Sequence, residues 1–413
     1  MIPLLPLVAA SLAAATSVPL YAHENLQRRS VGGGSLDSKT GDFTPVVAIQ
    51  VGTPPQTLQA QLDVTSGLTV VGGSPFAGGS FYAPASSSLK EGAKVDSHEL
   101  PDGRKTSGTR VADRIVVGAA GLTTEFLLAN PSGQSGPEAP GINNALLGLG
   151  YSDAPSPALS SEWDQKLWGL YLSPRRVGYS DKAGETKRIG SLSLGKIDPA
   201  YAAGEPVWVN LTETSTGEWP VHLKSFAAGS ASAKTDFFEG RQIDVAPVAN
   251  IGLPPAALDG LMKGITGAQK WTQGEDVVWT LPCDTASKLD IGLENITVSL
   301  APEDWIAKEG STCRALLSAA TGRPWLGTPF LSAVYSVWDL EGRRIGFAPV
   351  KAGARVENKD FNEGSAPARQ SAEPVTTGKT YPNAVKAGGS NSAAVAKPAF
   401  LAVALGALAA VLM

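Results

Sequence analysis

Leu62-Asp63-Val64-Thr65-Ser66-Gly67 and Ile243-Asp244-Val245-Ala246-Pro247 share one pattern: an apolar residue, an aspartate, then a valine. Each is followed later by a pair of bulky apolar residues closed by glycine, Leu146-Leu147-Gly148 for the first and Trp325-Leu326-Gly327 for the second. The Asp-to-Gly separations, 148 − 63 and 327 − 244, are 85 and 83 residues. Two halves with the same layout, each offering one carboxylate, predict a two-lobed protein with an acid pair at the junction. The residues flanking the acids then decide what the pair can do.

The chain of 413 residues is long enough for two cores of ordinary size. Its ends are set apart by composition. Residues 1–22 are apolar and small, are broken by Pro3, Pro6 and Pro19, and read as a secretory signal with Leu20-Tyr21-Ala22 as the expected cleavage site. Residues 23–43 form a short extension. At the other end, Pro398 precedes an apolar run from Ala399 to Met413, behind a spacer, Asn391 to Lys397, and the small cluster Gly388-Gly389-Ser390. That order is the signal for replacing the tail (398–413) with a glycolipid anchor at Gly388, Gly389 or Ser390. The run is shorter than the roughly 20 residues of a spanning helix. Residues 351–397 carry almost no large apolar side chains and read as a flexible stalk. Two lobes of about 150 residues each remain, expected at 44–200 and 201–350.

Cys283 and Cys313 fit one disulfide in an oxidising compartment, closing a loop worth about 3 kcal/mol. Asn210-Leu211-Thr212 and Asn295-Ile296-Thr297 are glycosylation sequons, in keeping with secretion. A net charge of −4 gives no electrostatic footprint for nucleic acid. Three histidines and two cysteines argue against a structural zinc site, and no metal or other cofactor is expected. The protein is expected to act as a monomer.

The body reads as mostly β. Val46 to Val51 leads into the turn Gly52-Thr53-Pro54-Pro55, and Leu58 to Leu62 alternates apolar and polar residues as a half-buried strand does. Further strands are predicted at Asp113–Val117, Ser191–Leu194 and Val207–Val209. Helices are few: Ser161–Trp168, Pro254–Met262 with its opening prolines, and a turn at Pro302–Ile306.

Two carboxylates from matching halves suit a dyad sharing one proton, one acid protonated while the other acts as base toward a water. Other hydrolytic constellations find less support. There is no G-x-S-x-G elbow and no H-E-x-x-H helix. His98 and His222 read as surface side chains, and nothing positive supports a triad built on Ser66.

Val51-Gly52-Thr53-Pro54-Pro55-Gln56 with Leu62-Asp63 resembles the opening of pepsin-like aspartic proteases. Leu146 to Gly150, Gly190 to Asp198 and Cys283-Asp284-Thr285 follow in the family's order. The most specific block runs from Trp325 to Leu331 and on through Tyr335, Trp338-Asp339-Leu340 and Arg344 to Ala348. With the stalk and anchor signal, the chain resembles the GPI-anchored, yapsin-like members. The resemblance implies a bilobal fold of two pseudo-symmetric β lobes, Asp63 and Asp244 as the catalytic pair, Ser66 as support for Asp63, and a cleft for an extended peptide or protein ligand.

The site departs from the family's pattern. The family carries Asp-Thr-Gly or Asp-Ser-Gly at both acids, and the hydroxyls brace the dyad across the junction. Val64 and Val245 keep the branched shape without the hydroxyl. Thr65 and Ala246 add a Cβ where the family has glycine, and Pro247 removes a backbone donor. Leu100 falls where the substrate-covering hairpin carries a tyrosine, and Val70 where a tryptophan supports it. Three readings follow: a surface homologue, impaired in catalysis, that binds extended peptide; an active endopeptidase using Asp63 and Asp244; and a wall-associated structural protein.

Overall fold

A computed structural model describes residues 16–24, 43–73, 81–99, 105–118, 120–129, 145–151, 163, 165–173, 188–212, 218–233, 235–273, 276–309, 312–320 and 322–354. Residues 355–397 of the expected stalk, the anchor cluster Gly388-Gly389-Ser390 and Leu100 lie outside the described residues. Residues 351–354 instead dock on the lobe, the Lys351 amide donating to the Tyr201 carbonyl at 2.8 Å and the Ala354 carbonyl accepting from the Tyr171 hydroxyl at 3.0 Å.

Strands dominate, and their positions follow the apolar alternation. Gln56–Asp63 buries Leu58, Ala60 and Leu62 on one face, while Gln59 and Gln61 are only partly covered. The longest sheet runs through thirteen strands: Val207–Asn210, Arg344–Pro349, Val334–Asp339, Leu167–Leu172, Arg188–Leu194, Thr16–Glu24, Phe43–Val51, Gln56–Asp63, Ala145–Gly148, Val70–Gly72, Ala120–Ala129, Lys105–Val117 and Lys90–Glu99. A second sheet belongs to the C-terminal lobe and includes Leu289–Leu293, Pro220–Ala228, Gln242–Val245, Trp325–Leu326 and Ile251–Leu253. A four-stranded sheet carries the disulfide between Cys283 and Cys313, with Cys313 in the strand Thr312–Ala315. Mostly β, bilobal and sparing in helices, the fold matches the expectation for the pepsin-like class.

The predicted strands all form. The helices at Pro255–Lys263 and Pro302–Trp305 form as well. Of the helix expected at Ser161–Trp168, none of the described residues, 163 and 165–168, is helical: Leu167 and Trp168 open the strand Leu167–Leu172, every residue of which is buried. Tertiary packing overrides the helical spacing there. Trp168 stacks on Trp338 with ring centroids 3.9 Å apart and planes 5° from parallel, and its indole donates to the Leu149 carbonyl at 3.2 Å.

That strand also ties the lobes together. Leu167–Leu172 pairs with Val334–Asp339 from the far end of the chain and with Arg188–Leu194 on its other side. The long sheet therefore runs from the C-terminal strands into the N-terminal lobe without a break. Asn210 and Asn295, the sequon asparagines, are both exposed.

Candidate active site

Asp63 ends its strand and Asp244 is the penultimate residue of its own, each beside a parallel partner from later in its lobe. Asp63 faces Gly148 across the pairing of Gln56–Asp63 with Ala145–Gly148. Asp244 faces Trp325 across the pairing of Gln242–Val245 with Trp325–Leu326. The glycine that closes each apolar pair has a steric purpose. A Cβ on Gly148 would lie 2.6 Å from the carbonyl carbons of Gly67 and Leu68, and one on Gly327 would run into the carbonyl oxygens of Asn250 and Val248. The repeated apolar-apolar-Gly pattern thus marks where the segment following each acid packs on backbone.

Both carboxylates are buried, each 2% exposed, yet their surroundings differ. Asp63 Oδ1 accepts from the Thr65 amide at 2.8 Å, the Thr65 hydroxyl at 2.7 Å and the Ser66 amide at 3.3 Å. The Ser66 hydroxyl accepts from the Leu68 amide at 3.0 Å. Ser66 thus supports Asp63 through its backbone, and Thr65 brings a hydroxyl to the acid.

Around Asp244 the corresponding donors are directed elsewhere. The Ala246 amide donates to the Leu326 carbonyl at 3.1 Å, and Pro247 has no amide hydrogen. Arg323 approaches instead. Its Nη1 lies 2.9 Å from Glu218 Oε2 and 3.5 Å from Asp244 Oδ1, with Arg323 only 18% exposed and Glu218 10%. A guanidinium this close to a buried carboxylate favours the ionised form.

Val64 and Val245 are both buried in the main hydrophobic cluster. The connection between them passes through Trp219. Its indole N–H donates to the Val64 carbonyl at 2.9 Å, and its own carbonyl accepts from the Val245 amide at 3.1 Å. Tyr151 packs edge-on against Trp219 with centroids 4.9 Å apart, and its hydroxyl donates to the Glu218 carbonyl. Arg343 lies over the Tyr151 ring, 4.1 Å from its centroid. Asp63 and Asp244, each next to one of these valines in sequence, are brought to one junction by this chain of contacts.

Sequence reasoning reached Asp63, Asp244, Ser66, Thr65 and Ala246 but not Glu218, Trp219, Tyr151 or Arg323. Arg323 had a readable signal: a cation two residues before the apolar block Trp325-Leu326-Gly327. Val70 is fully buried and pairs with Leu127 and Leu146, so it serves the sheet. Among the described residues no group of three or more His, Cys, Asp or Glu side chains is arranged to hold a metal ion.

The family described as eukaryotic aspartyl protease matches residues 46–350. Similar relatives include the aspartic-type endopeptidase ctsD of Aspergillus fumigatus, 26% identical over 50% of this chain and 44% of its own length. The "probable aspartic-type endopeptidase CTSD" of Arthroderma otae is 25% identical over 64% of this chain and 68% of its own length. Cathepsin D of Clupea harengus is 25% identical over 50% and 54%. The chain spans about half the length of most of the curated relatives it matches. With matched residues covering both acids and both lobes, the chain belongs to the eukaryotic aspartyl protease family.

Proposed function

We propose that this chain is a cell-surface member of the family that binds extended peptide at the lobe junction without turning it over. The observation that carries the reading is the Arg323 guanidinium between Glu218 and Asp244. A dyad works because two close carboxylates cannot both ionise and so hold one proton between them. Arg323 favours Asp244 as a carboxylate, and three donors on one oxygen favour the same state of Asp63. With both acids charged, neither holds the proton needed to assist an amide carbonyl while its partner activates water. The buried valines point the same way, because they fill the space of the family's hydroxyl residues and offer no hydrogen bond.

The endopeptidase reading keeps one argument: both acids remain, buried, on strands paired in the same way in the two lobes. Peptide binding would need the bilobal frame without the proton chemistry, and the family match over both lobes supports that frame. The surface location is supported by the leader composition, the disulfide, two exposed sequon asparagines and the tail with its small-residue cluster at Gly388, Gly389 and Ser390. Among the described residues no helix is long and apolar enough to cross a membrane.

The test is association without cleavage. Labelled unfolded peptides are titrated into the full chain across the acidic range, and the peptides are then recovered and weighed by mass spectrometry. Saturable binding with intact peptide is expected. Cut peptide would overturn the loss of turnover, and absence of saturable binding would leave the structural-protein reading in its place.

A further inference from the structure

The strand Thr16–Glu24 lies inside the segment whose composition marks a secretory leader, yet it is built into the centre of the longest sheet. Its first part, Thr16 to Tyr21, pairs with Arg188–Leu194, and its second part, Leu20 to Glu24, pairs with Phe43–Val47. It therefore passes hydrogen bonding from the strands shared with the C-terminal lobe to those of the N-terminal lobe. Val18 and Leu20 are fully buried members of the main hydrophobic cluster. Ser17 donates to Asp198 Oδ2 and lies 3.4 Å from the Ser193 hydroxyl, and the Asp198 amide donates to the buried Tyr335 hydroxyl at 3.0 Å. The strand is thus held by backbone pairing on both sides, by apolar burial and by a side-chain network.

A cut after Ala22 would leave only the pairs His23 with Thr44 and Glu24 with Phe43. Every pairing with Arg188–Leu194 would be lost, and two strands in the middle of the sheet would acquire open edges. The sequence offers a better site upstream. Leader cleavage requires small residues at the last and third-last positions before the cut. Leu20-Tyr21-Ala22 has leucine at the third-last position, whereas Ala13-Ala14-Ala15 has alanine at both.

We infer that the leader is cut between Ala15 and Thr16, so that the mature chain begins at the first residue of this strand and keeps it as the join between the lobes. Hydrolysis by a leader peptidase of the secretory pathway adds one water across the Ala15–Thr16 amide. It leaves a carboxylate on Ala15 and an α-ammonium on Thr16. The inference rests on the secretory routing proposed above.

The test is the N-terminal residue of the full chain expressed in a secreting eukaryotic host, read by mass spectrometry after N-terminal labelling. A secreted chain beginning at Thr16 is expected, with Ala15→Gln abolishing that start and Ala22→Gln leaving it in place. A secreted, folded chain beginning at His23, or a start displaced by Ala22→Gln, overturns the inference and leaves the secretory routing standing. A chain retained in the cell with Met1 uncut overturns both. As a second measurement, a heterologous leader is fused directly before Thr16 or directly before His23. The His23 form is expected to be lost from the medium or to melt at least about 5 °C lower, and equal yield and melting temperature of the two forms would contradict the role given to the strand.

Discussion

The two aspartates occupy matching places and meet opposite chemistry. Asp63 is held by its own loop, with two amides and the Thr65 hydroxyl converging on one oxygen. Asp244 is followed by an alanine whose amide serves Leu326 and by a proline without an amide hydrogen, and it meets a guanidinium brought in from outside its loop. The strand frame tolerates both solutions because it is built from apolar alternation and from Gly148 and Gly327, none of which involves the acids' protons. The pseudo-symmetry of the family thus survives in backbone and packing, while the two acid environments have diverged.

Gly148 and Gly327 offer the strongest challenge to the equivalence of the frames. Gly327→Ala is expected to cost at least about 3 kcal/mol, because the new methyl meets two carbonyl oxygens fixed by the lobe. Gly148→Ala, whose methyl would meet backbone carbons at 2.6 Å, should cost less. Chemical denaturation of the two variants orders them, and the reverse order would break the comparison of the two frames.

Arg323→Met tests the divergence itself. It leaves Glu218 and Asp244 as buried acids without their cation, a loss on the order of 3 kcal/mol near neutral pH. The deficit should shrink on acidification, since protonation removes the unpaired charges. A deficit independent of pH would mean that Arg323 contributes packing alone. On the other acid, Thr65→Val removes a short bond to a charged group and should cost about 2 kcal/mol. Ala246→Gly, at the matching position, should cost about 1 kcal/mol or less.

The smallest effect concerns the network anchored at Tyr335. Burial raises the Tyr335 phenol above its ordinary value, outweighing its bonds to Ser193 and Asp198. Its folded value lies above its unfolded one, so this contribution is whole below about pH 10 and is lost as pH rises beyond it. Tyr335→Phe should therefore flatten the alkaline fall in melting temperature. An unchanged alkaline slope would remove Tyr335 as its source.

Much of the frame was legible in the sequence because period-two alternation and the repeated Asp…apolar-apolar-Gly layout are local patterns. Both acids, the disulfide and the acids' neighbours Val64, Thr65, Val245 and Ala246 could be read directly. What could not be read depends on contacts distant in sequence. Trp219 reaches Val64 across 155 residues of sequence and also bonds Val245, and Arg323 meets Glu218 only when the lobe closes. Leu167 and Trp168 carry helical spacing, and they become a strand because Val334–Asp339 and Arg188–Leu194 supply two edges for them to fill. The N-terminal strand escaped for the opposite reason: its apolar composition fits a leader as well as it fits the middle of a sheet.

The most direct test of the central claim is the rate at which the purified protein hydrolyses an unfolded protein across the acidic range, measured beside its Asp63→Asn variant. Equal background rates are expected on the proposed reading, in which Arg323 and the Asp63 loop donors hold both acids ionised. Hydrolysis by the parent that disappears in Asp63→Asn would contradict the account and restore the pair as a working dyad.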